Sequence, residues 1–135
     1  MNIYKQLTDK DLKLEYITFG NGKETLICFH GFGQEAQGFL AFETTLGKQY
    51  TIHSVNLFYH GNSVFPDTRL ENKPVEPNEL KSIFEILRIK EEFISFSLAG
   101  YSLGGKVALT LSGLYPKQTK KLFLIAPDGI KANLW

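Results

Sequence analysis

Ser102 lies in Gly100-Tyr101-Ser102-Leu103-Gly104-Gly105, a G-x-S-x-G pattern between an apolar run and a helical one. A serine hydroxyl can attack an acyl carbon when a base takes its proton and donors receive the charge that develops on the carbonyl oxygen. The spacing suits this chemistry. Gly100 and Gly104 have no β-carbon, so a strand and a helix can close around a tight turn with the serine at its apex. The turn strains the serine and exposes its hydroxyl, and the helix behind it offers unpaired N–H groups at a positive dipole end. The plainer reading of the same residues is a glycine-rich turn that contains a serine. A second group, His30-Gly31-Phe32-Gly33, follows another apolar run. Its glycines let backbone approach a substrate, and N–H groups near Phe32 could donate to a carbonyl oxygen. Its plainer reading is a turn leading into a helix, with His30 as a packed histidine.

These groups need strands and helices to place them. Leu12, Leu14 and Tyr16 alternate with Lys13 and Glu15, which predicts a half-buried strand. Asn21-Gly22 predicts a hairpin turn before the run at 25–29, whose continuous apolar character suits a strand covered on both faces. A helix is expected over about 35–46, stopped by Gly47, then a strand over 51–57 and a long loop over 58–77. Asn78 is the expected cap of a helix whose stripe is Leu80, Ile83, Phe84 and Leu87. A strand over 93–99, a helix over 103–114 and a strand over 122–126 complete the chain. The order is a hairpin followed by β-α-β-α-β-α-β. That predicts an α/β fold with a mostly parallel sheet, helices on both faces and the hairpin at one edge. In such sheets ligands bind outside the carboxyl ends of the strands, where both glycine groups fall.

Together the two motifs resemble the α/β-hydrolase fold superfamily. Between them, Asn56-Leu57-Phe58-Tyr59-His60-Gly61-Asn62-Ser63 is similar to that family's loop D-x-x-G-x-G-x-S. It keeps His60, Gly61 and Ser63 and departs at Asn56 and Tyr59. The resemblance runs from the first hairpin to 122–126. It implies Ser102 as nucleophile, with the Leu103 and Phe32 N–H groups as oxyanion donors. His30, Gly31, Gly33, Gly100 and Gly104 would support them. The implied reaction is attack on an acyl substrate, a carboxylic ester or a relative of one, then release by water, with no cofactor.

The family order places the acid and then the histidine after the serine. Here His30, His53 and His60 all precede Ser102, and Asp128 is the one carboxylate that follows it. By resemblance, 1–135 is the N-terminal part of a single α/β-hydrolase domain, lacking its C-terminal strands and lid, either a fragment or a truncated product. Asp128 is the candidate acid, since some members place it there; a turn aspartate in Pro127-Asp128-Gly129 is the other reading. His60 could approach the serine or support its own loop. An uncovered strand at 122–126 would favour self-association.

Two rival functions remain. Gly31-Phe32-Gly33-Gln34-Glu35-Ala36 also fits G-x-G-x-x-A, a dinucleotide fingerprint, but that site needs a carboxylate at the end of the next strand and Asn56 is an amide. A non-catalytic binding protein of the same fold is the other alternative.

Composition narrows the field. The chain has 135 residues, 43% hydrophobic and 21% charged, which suits one domain or part of one and excludes a disordered tail. With 15 basic and 14 acidic residues the net charge is +1, so no broad basic field is present to hold nucleic acid. The expected partners are a small acyl molecule and water. Cys28 is alone, reads as an inert core thiol and suits a reducing compartment. No apolar leader or window of ~18 apolar residues occurs, so a soluble cytoplasmic protein without membrane contact is expected. His53 and His60 fit no metal-ligand spacing, so no metal is expected. Phe39, Phe42, Phe58, Tyr59 and Phe65 read as core and pocket wall.

Overall fold

The computed structural model describes residues 3–10, 12–64 and 75–127. Asp128 and Phe65 lie outside the described residues. The strands are β1 (Lys5–Asp9), β2 (Leu12–Phe19), β3 (Glu24–Phe29), β4 (Tyr50–Val55), β5 (Phe96–Tyr101) and β6 (Thr119–Ile125). Along β3, Leu26 and Cys28 face one way, Ile27 and Phe29 the other, and all are buried. A strand buried on both sides must lie inside the sheet. The order among the described residues is β1-β2-β4-β3-β5-β6. β3 runs parallel to β4 and β5, and β5 parallel to β6, while β1–β2 and β2–β4 are antiparallel.

The mostly parallel sheet with a hairpin at one edge is therefore present, but the hairpin is not the expected one. It joins β1 to β2, and β4 lies between β2 and β3. The link at 20–23 instead passes over the start of β4. Asn21 N–H donates to the Gly47 carbonyl at 2.8 Å, Glu24 N–H to the Gln49 carbonyl at 3.2 Å, and a β-carbon on Gly22 would overlap the Gln49 backbone. Gly22 serves a close approach here rather than a tight two-residue turn.

Other boundaries move, among them the start of β6, at Thr119 rather than 122, and the end of β4, at Val55 rather than 57. The expected helix over 35–46 is a 3₁₀ segment, Ala36–Phe42, followed by the short α1 (Glu43–Leu46). Ser54 Oγ donates to the Ala36 carbonyl at 2.8 Å, taking the acceptor that a first α-helical turn would use. Helix α2 (Pro77–Lys90) starts at Glu76, not at Asn78. Pro77 occupies its first position, and the Glu79 carboxylate accepts the Glu76 N–H at 2.8 Å. Strand β5 starts at Phe96 and runs through Tyr101, while Phe93 joins the aromatic core ahead of it. Helix α3 (Leu103–Leu114) matches its predicted span.

Two cores result, one on each face of the sheet. α2 and α3 cover Leu14, Ile27, Phe29, Val55 and Leu98, with Phe84, Phe93, Phe96 and Tyr115 stacked edge to face. The 3₁₀ segment covers Ile17, Leu26, Cys28 and Ile52 through Ala36 and Phe39. Cys28 lies deep in this second core, where burial pushes its thiol pKa up and keeps it protonated. No helix among the described residues is long and apolar enough to cross a membrane.

Candidate active site

Phe29 pairs with Gly100 in the parallel β3–β5 ladder, so the turns that follow these strands leave the same end of the sheet, side by side. Ser102 links β5 to α3 with φ 52 and ψ −115, in backbone space that a non-glycine residue rarely occupies. Its N–H donates to the Ile125 carbonyl at 2.9 Å, and its carbonyl accepts the Gly105 N–H at 2.9 Å. A β-carbon on Gly100 would overlap the Gly104 carbonyl, and one on Gly104 would overlap the carbonyls of Phe29 and His30. The missing side chains thus let α3 start directly over the end of β3, with Ser102 at the rim and Leu103 opening the helix.

Gly31, Phe32 and Gly33 form the neighbouring turn. Gly31 faces the Tyr101 ring, where an added β-carbon would lie 2.8 Å from a ring atom. Gln34 Oε1 accepts the Gly31 N–H at 2.9 Å, and His60 Nε2 accepts the Gly33 N–H at 2.9 Å. The Phe32 N–H between them makes no hydrogen bond among the described residues, and the Phe32 side chain is 83% exposed. An unpaired donor at the mouth of the site is the feature an oxyanion pocket needs.

The histidines stitch this turn to residues 56–63. His30, 1% exposed, accepts the Leu57 N–H on Nε2 at 2.9 Å, so its proton sits on Nδ1 and is donated to the Gly31 carbonyl at 2.7 Å. Burial holds this ring below the usual histidine range, and His60, with its ring centroid 4.8 Å away, adds to the effect. His60 is arranged the same way. Its Nε2 accepts from Gly33, and its Nδ1 lies 3.1 Å from the Phe58 carbonyl. Both nitrogens of each ring are engaged with backbone. Of the two roles open to His60, the geometry matches support of the loops. His53 lies elsewhere, bonded to Thr18 Oγ1 at 2.9 Å and stacked on Phe93. Among the described residues, no group of three or more His, Cys, Asp or Glu side chains could hold a metal ion.

Sequence reasoning missed Glu15. The alternation in β2 puts it on the polar side of a half-buried strand, yet it is 3% exposed. Its carboxylate accepts the Asn56 Nδ2 at 2.7 Å, the Asn62 N–H at 3.1 Å and the Asn62 Nδ2 at 3.0 Å. Burial raises its pKa, but the donors from Asn62 and Asn56 outweigh burial and hold it below the ordinary carboxylate range. Ser63 Oγ accepts the Glu15 N–H at 2.9 Å and donates to the Asn56 carbonyl at 2.7 Å. The clue was available: Ile17 and Phe19 continue β2 on the face that carries Glu15, so that face had to be covered.

Asn56, the departure from the family loop, is complementary to this carboxylate. Its Oδ1 also accepts the Ala36 N–H at 2.7 Å. Both ends of its amide are engaged in binding the chain to itself, in the place where a dinucleotide site needs a carboxylate for a ribose. A cavity of about 580 Å³ opens beside the elbow between α2 and α3, lined by Leu57, Phe58, Tyr59, Leu80, Leu103 and Val107 among others.

No protein-family model matches the chain. It is 28% identical over 114 residues to the dihydrolipoyllysine-residue acetyltransferase component of the acetoin cleaving system of Pseudomonas putida, covering 82% of this chain and 29% of that protein. It is 31% identical over 114 residues to the pimeloyl-(acyl-carrier protein) methyl ester esterase of Proteus mirabilis, covering 84% of this chain and 40% of that one. The crystal structure of a candidate lipase from Acinetobacter baumannii superimposes with a TM-score of 0.82 at 26% identity, covering 96% of this chain and 43% of the other. The chain belongs to the α/β-hydrolase fold superfamily. It spans less than half the length of each of these proteins.

Proposed function

We propose that this chain is the nucleophile-bearing part of a serine hydrolase acting on carboxylic esters or related acyl compounds. Ser102 attacks the acyl carbon, and the Phe32 and Leu103 N–H groups receive the negative charge on the carbonyl oxygen. The observation that carries the reading is the positive φ of Ser102 at a strand-to-helix turn, beside a backbone N–H with no partner among the described residues. Oriented donors of this kind act on charge that exists only in the transition state, which is why they accelerate the step. The apolar cavity between α2 and α3 offers room for the acyl part. The relatives' names, an esterase and an acetyltransferase component, share acyl chemistry and support the same class.

The test is turnover of p-nitrophenyl butyrate by the 135-residue chain against its Ser102→Ala variant. Serine-dependent turnover is expected, because the Ser102 hydroxyl is the attacking group in this reading, while both ring nitrogens of His30 and of His60 are engaged with backbone groups. Equal turnover by the two proteins would overturn the role of Ser102.

A further inference from the structure

Packing holds the turn that carries Phe32 only in part, through Gly31 against the Tyr101 ring and the Phe32 ring against that of His60. The Phe32 side chain is 83% exposed, and a β-carbon built on Gly33, whose φ is +76, would meet nothing within 4 Å. Glycine at such a φ has many conformations open to it, so at Gly33 hydrogen bonds rather than contacts select this one. The described bonds to the turn supply four constraints. The Gly31 N–H donates to Gln34 Oε1. The Gly31 carbonyl, in the peptide plane of the Phe32 N–H, accepts the Gln34 N–H at 3.1 Å and lies 2.7 Å from His30 Nδ1. His60 Nε2 ties the plane after Phe32 through the Gly33 N–H. The Gln34 and His30 bonds are local to the turn. The His60 bond reaches from another loop, 27 residues away in sequence.

His60 is itself anchored. Its Nδ1 lies 3.1 Å from the Phe58 carbonyl, and the Phe32 ring meets its ring at 90° with centroids 5.6 Å apart. The next residues, Gly61 and Asn62, pack on Asn56 and Glu15, and the buried Glu15 carboxylate accepts two bonds from Asn62. A chain of contacts therefore runs from the interior strand β2, through Asn62 and His60, to the Gly33 N–H.

We propose that His60 is a positioning residue for the oxyanion pocket. By accepting the Gly33 N–H it sets the backbone of the 31–33 turn and so aims the Phe32 N–H. The inference rests on the reading of Phe32 as a donor, and its test separates the two. His60→Ala removes the acceptor, whereas His60→Gln places an amide oxygen within reach of the same N–H. The first measurement is amide hydrogen exchange at Gly33 by NMR. The second is the rate at which a fluorophosphonate labels Ser102, because its phosphoryl oxygen occupies the oxyanion position.

In His60→Ala, Gly33 exchange should rise about tenfold or more while the amides of α3 stay unchanged, and labelling should slow by about 10²-fold, the scale of a 1 Å misplacement. His60→Gln should recover most of both. Unchanged Gly33 exchange in His60→Ala would overturn the proposal. So would equal losses in Ala and Gln, or a loss of protection spread through α3, which would mark a general structural role. If the wild-type chain shows no labelling at Ser102, the nucleophile assignment fails, and the exchange of Gly33 decides by itself whether His60 holds the turn.

Discussion

The turn after β5 and the turn after β3 stand side by side at one end of the sheet, yet different forces hold them. The elbow at 100–105 is shaped by backbone against backbone. Gly100 and Gly104 leave room for α3 to begin over the carbonyls of Phe29 and His30, and the Ser102 N–H is fixed by Ile125. The turn at 31–33 has one backbone bond of its own, from the Gln34 N–H to the Gly31 carbonyl at 3.1 Å, and otherwise depends on side chains: His60 from another loop to Gly33, Gln34 to Gly31, and His30 in return to Leu57. Close packing of backbone leaves no state between formed and broken. Side-chain bonds to backbone can be weakened singly, by a substitution or a proton. On the proposed reading a nucleophile needs one fixed position, which the first device suits, and the second presents a donor whose aim depends on a distant residue.

The largest expected effect breaks the first device. Gly104→Ala puts a β-carbon into the Phe29 carbonyl, a backbone atom that cannot swing aside. It should lose about 3 kcal/mol or more of stability by overpacking, measured as a lower urea midpoint with an unchanged m-value. A cost below about 1 kcal/mol would mean that the helix start can shift, and the contrast between the turns would fail.

Acid sharpens the comparison next. Burial lowers the pKa of His30 and brings that of His53 to about 4, whereas the unfolded chain protonates both near the ordinary value of ~6.5. Between these values the unfolded state binds more protons, so stability is full above about pH 6.5 and falls as pH drops, for His53 down to about 4. The loss should be on the order of 2–3 kcal/mol by the lower value, read from denaturation series at stepped pH. The elbow's backbone contacts have no proton to gain. Amides at 31–33 and 57 should therefore lose protection before those at 104–108, and simultaneous loss would contradict the contrast.

The smallest effect probes the anchor of the second device. Asn56→Asp sets a carboxylate against Glu15 Oε1, where the amide nitrogen now donates at 2.7 Å. A cost of about 1–3 kcal/mol is expected from the lost donor and the like charges. Adding Glu15→Gln exchanges amide and carboxylate across the same contact and should return part of it. A double-mutant cycle with no coupling would remove Glu15 from the chain of contacts that ends at Gly33.

The two turns also differed in how far the sequence disclosed them. Glycines two residues on either side of Ser102, between an apolar run and a helical stripe, already imply the elbow, because close approach of strand to helix is a local matter. Helix α3 was legible to its ends for the same reason. The pairing of β2 with β4 was not, since Asn21-Gly22 carries a local hairpin signal, whereas β4 enters between β2 and β3 from further along the chain. The role of Glu15 was equally hidden, because its Asn62 partner lies 47 residues away and the strand pattern by itself assigns it to solvent. Short-range sterics and hydrophobic periodicity are written in neighbouring residues, and they determined the strands from β2 onward, helices α2 and α3, the elbow and the candidate nucleophile, but not β1 or the 3₁₀ form of 36–42. Which side chain accepts which backbone N–H depends on loops that meet only after the sheet has formed. The tertiary structure alone therefore decided that both site histidines are bound to backbone and that a buried carboxylate anchors the loop bearing His60.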